Sequence, residues 1–193
     1  MPAAVRSVWT PANVVTLTRL ALVPLVVAAL VADEHGGWRL VATVLFVAAA
    51  ATDRLDGWLA RRRDEVTDWG KLVDPIADKA LIGGALVTLS WLGDLPWWVT
   101  VVILTRELGI TALRLAVLRY VVIPASRGGK LKTVLQSVGI GLFLLPLDRL
   151  PDAVTTAAWA VVLLAVAVTV VTGADYLRRG WQVRRAAREE VAA

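Results

Sequence analysis

Six apolar stretches, each long enough to cross a bilayer, constrain this 193-residue chain more than any other feature. A transmembrane helix needs about 20 consecutive apolar residues because the hydrocarbon core of a bilayer is about 30 Å thick. Hydrophobic residues make up 58% of the sequence, which is too many for an ordinary soluble domain. The predicted spans are residues 13–32, 38–60, 72–92, 96–118, 131–147 and 153–177. We therefore expect an all-α integral membrane protein with a single domain, residues 1–193, and six transmembrane helices.

The basic residues indicate how these spans are oriented. Of the 21 Lys and Arg residues, 14 lie in or next to the N-terminus, the second and fourth links and the C-terminal tail. The first, third and fifth links have only Arg39 and Arg149 in or next to them. Because cytoplasmic segments carry an excess of Lys and Arg, both termini are predicted to face the cytoplasm. The protein itself is predicted to lie in the inner (plasma) membrane. Topology explains the net positive charge, so no nucleic-acid partner is predicted.

Two further features limit the alternatives. A cleaved signal peptide is the alternative for the first span, but this span is long, carries Arg19 and lacks a convincing small-residue cleavage site. Cysteine is absent, which excludes disulfides and metal sites with thiolate ligands. A metal in this chain would therefore need oxygen or histidine ligands.

Four aspartates lie on either side of the second link. Asp53 and Asp56 are three residues apart, and Asp74 and Asp78 are four apart. Residues at these spacings share a helix face, so two antiparallel helices joined by a short link bring four carboxylates together. An ionised Asp within a span costs about 2.5–3.5 kcal/mol on insertion scales, and a divalent cation would offset that cost. Ligands that are all carboxylates, without His or Cys, indicate Mg²⁺ or Mn²⁺.

Small residues accompany these carboxylates on the same helix faces. Gly57, Ala60 and Gly70 would let a bulky ligand approach the backbone, and Arg61 would pair with a phosphate. The alternative is an internal salt-bridge cluster in which the aspartates pair with Arg61, Lys79 and their basic neighbours. The fixed helical spacing of four aspartates, two glycines and an Arg favours a site for metal and phosphate.

The complete pattern, Asp53-x2-Asp56-Gly57-x2-Ala60-Arg61-x8-Gly70-x3-Asp74-x3-Asp78, resembles the signature of the CDP-alcohol phosphatidyltransferase family. No position departs from that signature. The resemblance implies a six-helix membrane enzyme, usually a homodimer, with its active site near the cytoplasmic leaflet. It also implies that the four aspartates hold one or two divalent ions, which bridge the pyrophosphate of CDP-diacylglycerol. Asp78 resembles the proposed general base of the family, which would take the proton of the acceptor hydroxyl as CMP leaves.

A second group of charged residues lies in spans one, four and five. Basic groups inside a membrane protein suggest an anionic partner, and Arg suits phosphate because it binds in a bidentate manner. The candidate ligands for the phosphate of a small anionic alcohol are Arg19, Arg106, Arg114, Lys130 and Lys132. The alternatives are that Arg106 pairs with a neighbouring carboxylate and that the two lysines only signal topology.

Three further segments, residues 13–19, 105–114 and 129–136, resemble the bacterial phosphatidylglycerophosphate synthase branch of the family. This resemblance implies sn-glycerol 3-phosphate as the acceptor. Inositol 1-phosphate and phosphatidylglycerol, the latter giving cardiolipin, are the alternative acceptors. Outside the family, a divalent-cation transporter would also use intramembrane aspartates. A transporter would be expected to carry acidic residues through the bilayer midplane, whereas these four gather at one edge.

Overall fold

The computed structural model describes residues 10–32, 37–63, 68–117 and 127–192. Within these ranges, side chains are described except at 11–12, 53–63, 68–72, 114–117, 127–128, 130, 179–180 and 183–192. The helices are α1 (Pro11–Ala32), α2 (Gly37–Arg63), α3 (Asp68–Trp91), α4 (Trp97–Val117), α5 (Arg127–Phe143) and α6 (Asp152–Ala192). A short 3₁₀ turn, Leu147–Arg149, precedes α6, and the described residues contain no strand. The all-helical prediction is thereby confirmed for the described part of the chain.

Each predicted apolar span overlaps one helix. Among the described residues, two helical segments are long and apolar enough to cross a membrane, Asn13–Ala32 and Asp152–Arg178, and shorter apolar helices cover Gly37–Thr52 and Leu131–Phe143. Large apolar side chains such as Val171 are exposed on the outside of the bundle. Many large apolar side chains are exposed in this way, as is typical of a protein that contacts lipid or another protein.

Local signals set two of the helix ends. The Oγ1 atom of Thr10 accepts a hydrogen bond from the backbone N–H of Asn13 at 3.3 Å, and Pro11 occupies the first helical position of α1. Gly93 ends α3 with a φ of 85°, which a residue with a side chain rarely adopts. The N–H groups of Gly93 and Asp94 then bond the carbonyls of Ser90 and Leu89, as in a Schellman motif.

The hydrophobic core fills one half of the bundle. It is built from the end of α1, the start of α2, the end of α3, the start of α4, the end of α5 and the start of α6. Leu30, Phe46, Leu89 and Ile103 are among its fully buried members. Consecutive helices therefore run antiparallel, and the chain turns at residues 92–96 and 144–151 lie at this apolar end.

A buried arginine fastens the apolar end. The Nη2 atom of Arg39 donates to Asp94 Oδ2 at 2.7 Å and to the carbonyl of Phe143 at 2.9 Å, and its Nε donates to the carbonyl of Leu145 at 3.2 Å. The hydroxyl of Thr43 donates to the carbonyl of Leu144. These side chains on α2 thus satisfy the carbonyl of the last residue of α5, Phe143, which the helix leaves without a partner, and the carbonyls of the two residues that follow it.

The fifth predicted span needs a correction at its end. It was expected to reach residue 147, but α5 ends at Phe143. Pro146 disfavours helical backbone at the residue before it and lacks the N–H that the helix would use. The polar contacts of Arg39 and Thr43 then stabilise the non-helical segment that follows.

Candidate active site

A group of buried polar side chains lies in the half of the bundle opposite the hydrophobic core. On α1, Asn13, Thr16 and Arg19 are each at most 2% exposed and recur every three residues along one face. Lys132 and Gln136 on α5 are buried one turn apart. Buried polar groups require partners, so this half of the protein is built around polar contacts.

Asp74 and Asp78 lie one turn apart near the start of α3, as their spacing predicts. Asp74 is exposed and Asp78 is half-buried. The buried hydroxyl of Thr16 donates a hydrogen bond to Asp74 Oδ1, with 2.5 Å between the two oxygens. This bond joins α1 to α3 beside the two carboxylates and orients one of them.

A cavity of about 60 Å³ opens next to Asp78, between α3, α4 and α5. It is large enough for several water molecules, each of which needs about 10–15 Å³. The residues that line it are Asp78, Lys79, Ile82, Leu104, Glu107, Leu108, Lys132, Thr133 and Gln136. The cavity therefore places the candidate base in the same space as a candidate ligand for the acceptor phosphate.

Glu107 connects the basic residues around this cavity. Its Oε1 atom accepts hydrogen bonds from Lys132 Nζ on α5 and from Arg106 Nη1, the latter at 3.1 Å. The Nη2 atom of Arg106 donates to Thr172 Oγ1 on α6 at 3.0 Å. The alternative that Arg106 pairs with a neighbouring carboxylate is therefore observed, and Lys132 is a buried ion-pair partner as well as a basic residue near a helix start.

Close packing of α6 supports this arrangement. Gly173 lies against Arg106, and a Cβ at that position would come within 3.1 Å of Arg106 Cγ. The amide of Gln136 on α5 donates to Thr169 Oγ1 on α6 at 3.0 Å. The absence of a side chain at Gly173 thus allows Arg106 to cross to α6.

Several predicted site residues have side chains outside the described set. They are Asp53, Asp56, Gly57, Ala60, Arg61, Gly70, Arg114 and Lys130. Their backbones belong to α2, α3, α4 and α5. Among the candidates whose side chains are described, Asp78 and Lys132 line one cavity, and Glu107 links Lys132 to Arg106. Arg19 is 1% exposed on α1, on the same face as Thr16.

The donor chemistry near the start of α3 fits a hard divalent cation. Asp74 and Asp78 offer carboxylate oxygens, which Mg²⁺ and Mn²⁺ prefer. Within the described side chains, no group of three or more His, Cys, Asp or Glu could hold a metal. The aspartates predicted at the end of α2 lie beyond the described side chains, so their part in a metal site stays a prediction.

Glu107, Thr16 and Gln136 are contributors to this region that the sequence did not assign to the site. An acidic residue inside an apolar span indicates a functional or paired group, and Glu107 is such a residue. Thr16 gave no such indication, because a threonine within a transmembrane helix commonly bonds its own backbone. Its contact with Asp74 depends on how α1 packs on α3.

Comparison with known proteins identifies the chain at the family level. Residues 9–171 match the CDP-alcohol phosphatidyltransferase family. A probable phosphatidylglycerophosphate synthase from Mycobacterium tuberculosis (strain ATCC 25618 / H37Rv) is 56% identical over 170 residues, which cover 87% of this chain and 80% of the relative. A CDP-diacylglycerol--glycerol-3-phosphate 3-phosphatidyltransferase from Bacillus subtilis (strain 168) is 35% identical and covers 88% of this chain and 94% of the relative.

A plant relative carries a different name. The cardiolipin synthase (CMP-forming) of Oryza sativa subsp. japonica is 33% identical over 192 residues, which cover 89% of this chain and 57% of the relative. All three relatives share most of the length of this chain, and the family match spans five helices and part of the sixth. This protein therefore belongs to the CDP-alcohol phosphatidyltransferase family, whose members are integral to the membrane.

Proposed function

We propose that this protein transfers the phosphatidyl group of CDP-diacylglycerol to sn-glycerol 3-phosphate, giving phosphatidylglycerophosphate and CMP. The protein is a transferase of phospholipid biosynthesis, and two bacterial relatives carry names for this reaction. The observation that carries the choice of an anionic acceptor is the cavity beside Asp78, whose wall includes Lys132. A neutral acceptor would not require a cation at that position.

The reaction is a displacement at phosphorus. The hydroxyl oxygen of the acceptor forms a bond to the lipid-side phosphorus of CDP-diacylglycerol, and the bond from that phosphorus to the bridging oxygen breaks, which releases CMP. Asp78 takes the proton of the attacking hydroxyl. A positioned general base contributes about 10²–10⁴ to the rate of such a step. The half-buried position of Asp78 on the cavity wall supports this role.

Two sets of residues are proposed to bind the CDP-lipid and the metal. The metal ligands are Asp53, Asp56, Asp74 and Asp78. The CDP-lipid contacts are Asp53, Asp56, Gly57, Ala60, Arg61, Gly70 and Asp74. The family generally depends on a divalent metal, and we propose Mg²⁺ or Mn²⁺. When bound, such an ion supplies positive charge that stabilises the phosphoryl oxygens during transfer.

The acceptor phosphate is proposed to bind the basic residues on α1, α4 and α5. They are Arg19, Arg106, Arg114, Lys130 and Lys132. A phosphate monoester carries up to two negative charges, and charge-assisted hydrogen bonds from Arg and Lys are about twice as strong as neutral ones. Lys132 lines the cavity itself, which gives it the most direct support.

The remaining proposals concern the membrane. We propose a single domain over residues 1–193 in which all six helices span the plasma membrane, with both termini and the active site on the cytoplasmic side. The distribution of Lys and Arg supports this orientation. The exposed Trp38, Trp91, Trp97 and Trp98 lie at the opposite end, where an interfacial aromatic belt is expected. A homodimer is proposed on the basis of the family.

An acceptor comparison tests this function. Purified protein in mixed micelles would receive CDP-diacylglycerol, Mg²⁺ and one acceptor at a time: sn-glycerol 3-phosphate, inositol 1-phosphate or phosphatidylglycerol. We expect CMP release and a new lipid only with glycerol 3-phosphate. A product from inositol phosphate alone would replace the proposed acceptor.

Cardiolipin formation is the second candidate function, because the rice relative is named a cardiolipin synthase. Phosphatidylglycerol is also an alcohol with an anionic phosphate, but its phosphate is a diester that carries two acyl chains. In the same assay, cardiolipin as the sole product would establish this second candidate.

A further inference from the structure

Glu107 is an acidic residue in the wall of a cavity that is proposed to receive an anion. Its side chain is 19% exposed and lines the cavity together with Asp78 and Lys132. A carboxylate at this position would repel the acceptor phosphate by simple electrostatics. Glu107 is therefore expected to have a function whose benefit exceeds its repulsion of the acceptor phosphate.

The contacts of Glu107 indicate that role. Both of its ion pairs use Oε1, which accepts from Lys132 Nζ and from Arg106 Nη1. Lys132 is 4% exposed, and Arg106 is fastened at its other end to Thr172 on α6. One carboxylate oxygen thus joins α4 to α5, and Arg106 extends this network to α6.

Positioning matters most for these two side chains because they are long. Lys and Arg lose much rotamer freedom when they are held in one geometry. A site that has already restricted them does not lose that freedom again when the ligand binds. Glu107 also reduces the cost of burying two cations, because an unpaired buried charge is strongly unfavourable.

We propose that Glu107 is a positioning residue of the acceptor site, which holds Lys132 and Arg106 so that they present their charges to the phosphate monoester of the acceptor. This inference rests on the proposed function, and it adds a residue that acts through the two cations. The trio of one carboxylate and two cations keeps a net positive charge. That remaining charge attracts the acceptor phosphate into the cavity.

The direction of one kinetic effect tests this proposal. In Glu107→Gln, loss of positioning should raise the KM for glycerol 3-phosphate about tenfold, while the KM for CDP-diacylglycerol stays unchanged. Stabilisation of the purified protein against heat by glycerol 3-phosphate should decrease in parallel. A KM for glycerol 3-phosphate that is unchanged or lower in the variant would overturn the proposal, because removal of a merely repulsive charge would have that result.

Asp94→Asn is the matched control. It removes the carboxylate partner of a buried arginine, Arg39, at the opposite end of the bundle. We expect this variant to lower thermal stability and leave the KM for glycerol 3-phosphate unchanged. An equal rise in that KM in Asp94→Asn would mean that Glu107 acts only through general stability, which would also overturn the proposal.

A double-mutant cycle separates action through Lys132 from other effects. If Glu107 works through this lysine, then Glu107→Gln should raise the KM much less in a Lys132→Gln background than in the wild type. Full additivity of the two changes would contradict the proposal. If Glu107→Gln does not fold, Glu107→Asp retains the charge with a shorter reach, and an intermediate KM is expected.

The CMP-release assay with the wild type tests the proposed function, and the KM of Glu107→Gln tests the positioning role separately. If the wild type releases CMP with glycerol 3-phosphate and Glu107→Gln behaves like the wild type, only the positioning role is wrong. If the wild type releases no CMP with any acceptor, the proposed function is wrong and the role of Glu107 is rejected with it.

Discussion

Thr16 on α1 donates a hydrogen bond to Asp74 on α3, with 2.5 Å between its Oγ1 and Asp74 Oδ1. The two residues are 58 positions apart in the sequence. Thr16 is 1% exposed, whereas Asp74 is exposed. A buried hydroxyl on one helix thus orients a carboxylate at the surface of another, in the part of the protein proposed to hold a metal.

Replacement of Thr16 by Val should weaken metal binding. Valine has nearly the same shape but lacks the donor, so Asp74 would lose its orienting partner. Loss of such supporting contacts typically costs about 10–100-fold in metal affinity or activity. Titration of the purified protein with Mn²⁺, followed by electron paramagnetic resonance, measures this affinity directly.

Thr18→Val is the control for that experiment. Thr18 lies on the same helix, is exposed, and bonds only the backbone carbonyl of Val14 among the described residues. Its replacement should leave the affinity for Mn²⁺ unchanged. Equal affinities in Thr16→Val and Thr18→Val would show that the contact with Asp74 has no influence on metal binding.

Asp78→Asn should abolish turnover while the protein still inserts into the membrane. The amide cannot take the proton of the acceptor hydroxyl, so kcat should fall by at least about 100-fold. Asp148→Asn, on the exposed 3₁₀ turn, should keep the kcat of the wild type. Full activity of Asp78→Asn in the CMP-release assay would remove the general-base assignment.

Arg39→Met should lower stability without a change in the KM of either substrate. The change leaves Asp94 and the carbonyls of Phe143 and Leu145 without their donor. We expect a loss of about 2–4 kcal/mol in the free energy of unfolding, with the smaller value favoured by the partial exposure of Asp94. Thermal unfolding in detergent measures this loss. Arg149→Met is the control, because Arg149 is exposed. Identical melting of the two variants would contradict the stabilising role of Arg39.

Gly173→Ala should disturb the acceptor site from a distance. The new Cβ would lie 3.1 Å from Arg106 Cγ, so the arginine must move by a few tenths of an ångström. We expect a rise of roughly three- to tenfold in the KM for glycerol 3-phosphate, because small displacements of binding groups have large kinetic effects. Gly109→Ala on α4 is the control, since no atom other than those of its chain neighbours and its own helix backbone lies within 4 Å of its added Cβ. A KM in Gly173→Ala equal to that of Gly109→Ala would show that this packing does not matter.

The positions of the helices could be predicted from the sequence, because each depends on a local run of apolar residues. The fifth span illustrates the limit. Its apolar run continues to residue 147, but α5 ends at Phe143, where Pro146 and the contacts from Arg39 intervene. Arg39 and Phe143 are 104 positions apart, so no local pattern contains this contact.

The candidate site was predictable to the extent that it follows helical spacing. Asp74 and Asp78 share a face of α3 because they are four residues apart. The pairing of Lys132 with Glu107 joins residues that are 25 positions apart on different helices. It depends on how α4 and α5 pack, and the sequence therefore indicated Lys132 as a candidate without indicating the residue that holds it.

We propose that this protein transfers a phosphatidyl group from CDP-diacylglycerol to glycerol 3-phosphate in a metal-dependent reaction. The most direct measurement quantifies CMP and lipid-linked label after incubation of purified protein with CDP-diacylglycerol, Mg²⁺ and radiolabelled glycerol 3-phosphate. We predict one CMP for each labelled lipid, no product after chelation of divalent ions, and recovery with Mg²⁺ or Mn²⁺. Release of CMP without incorporation of the label, or no release at all, would contradict the claim.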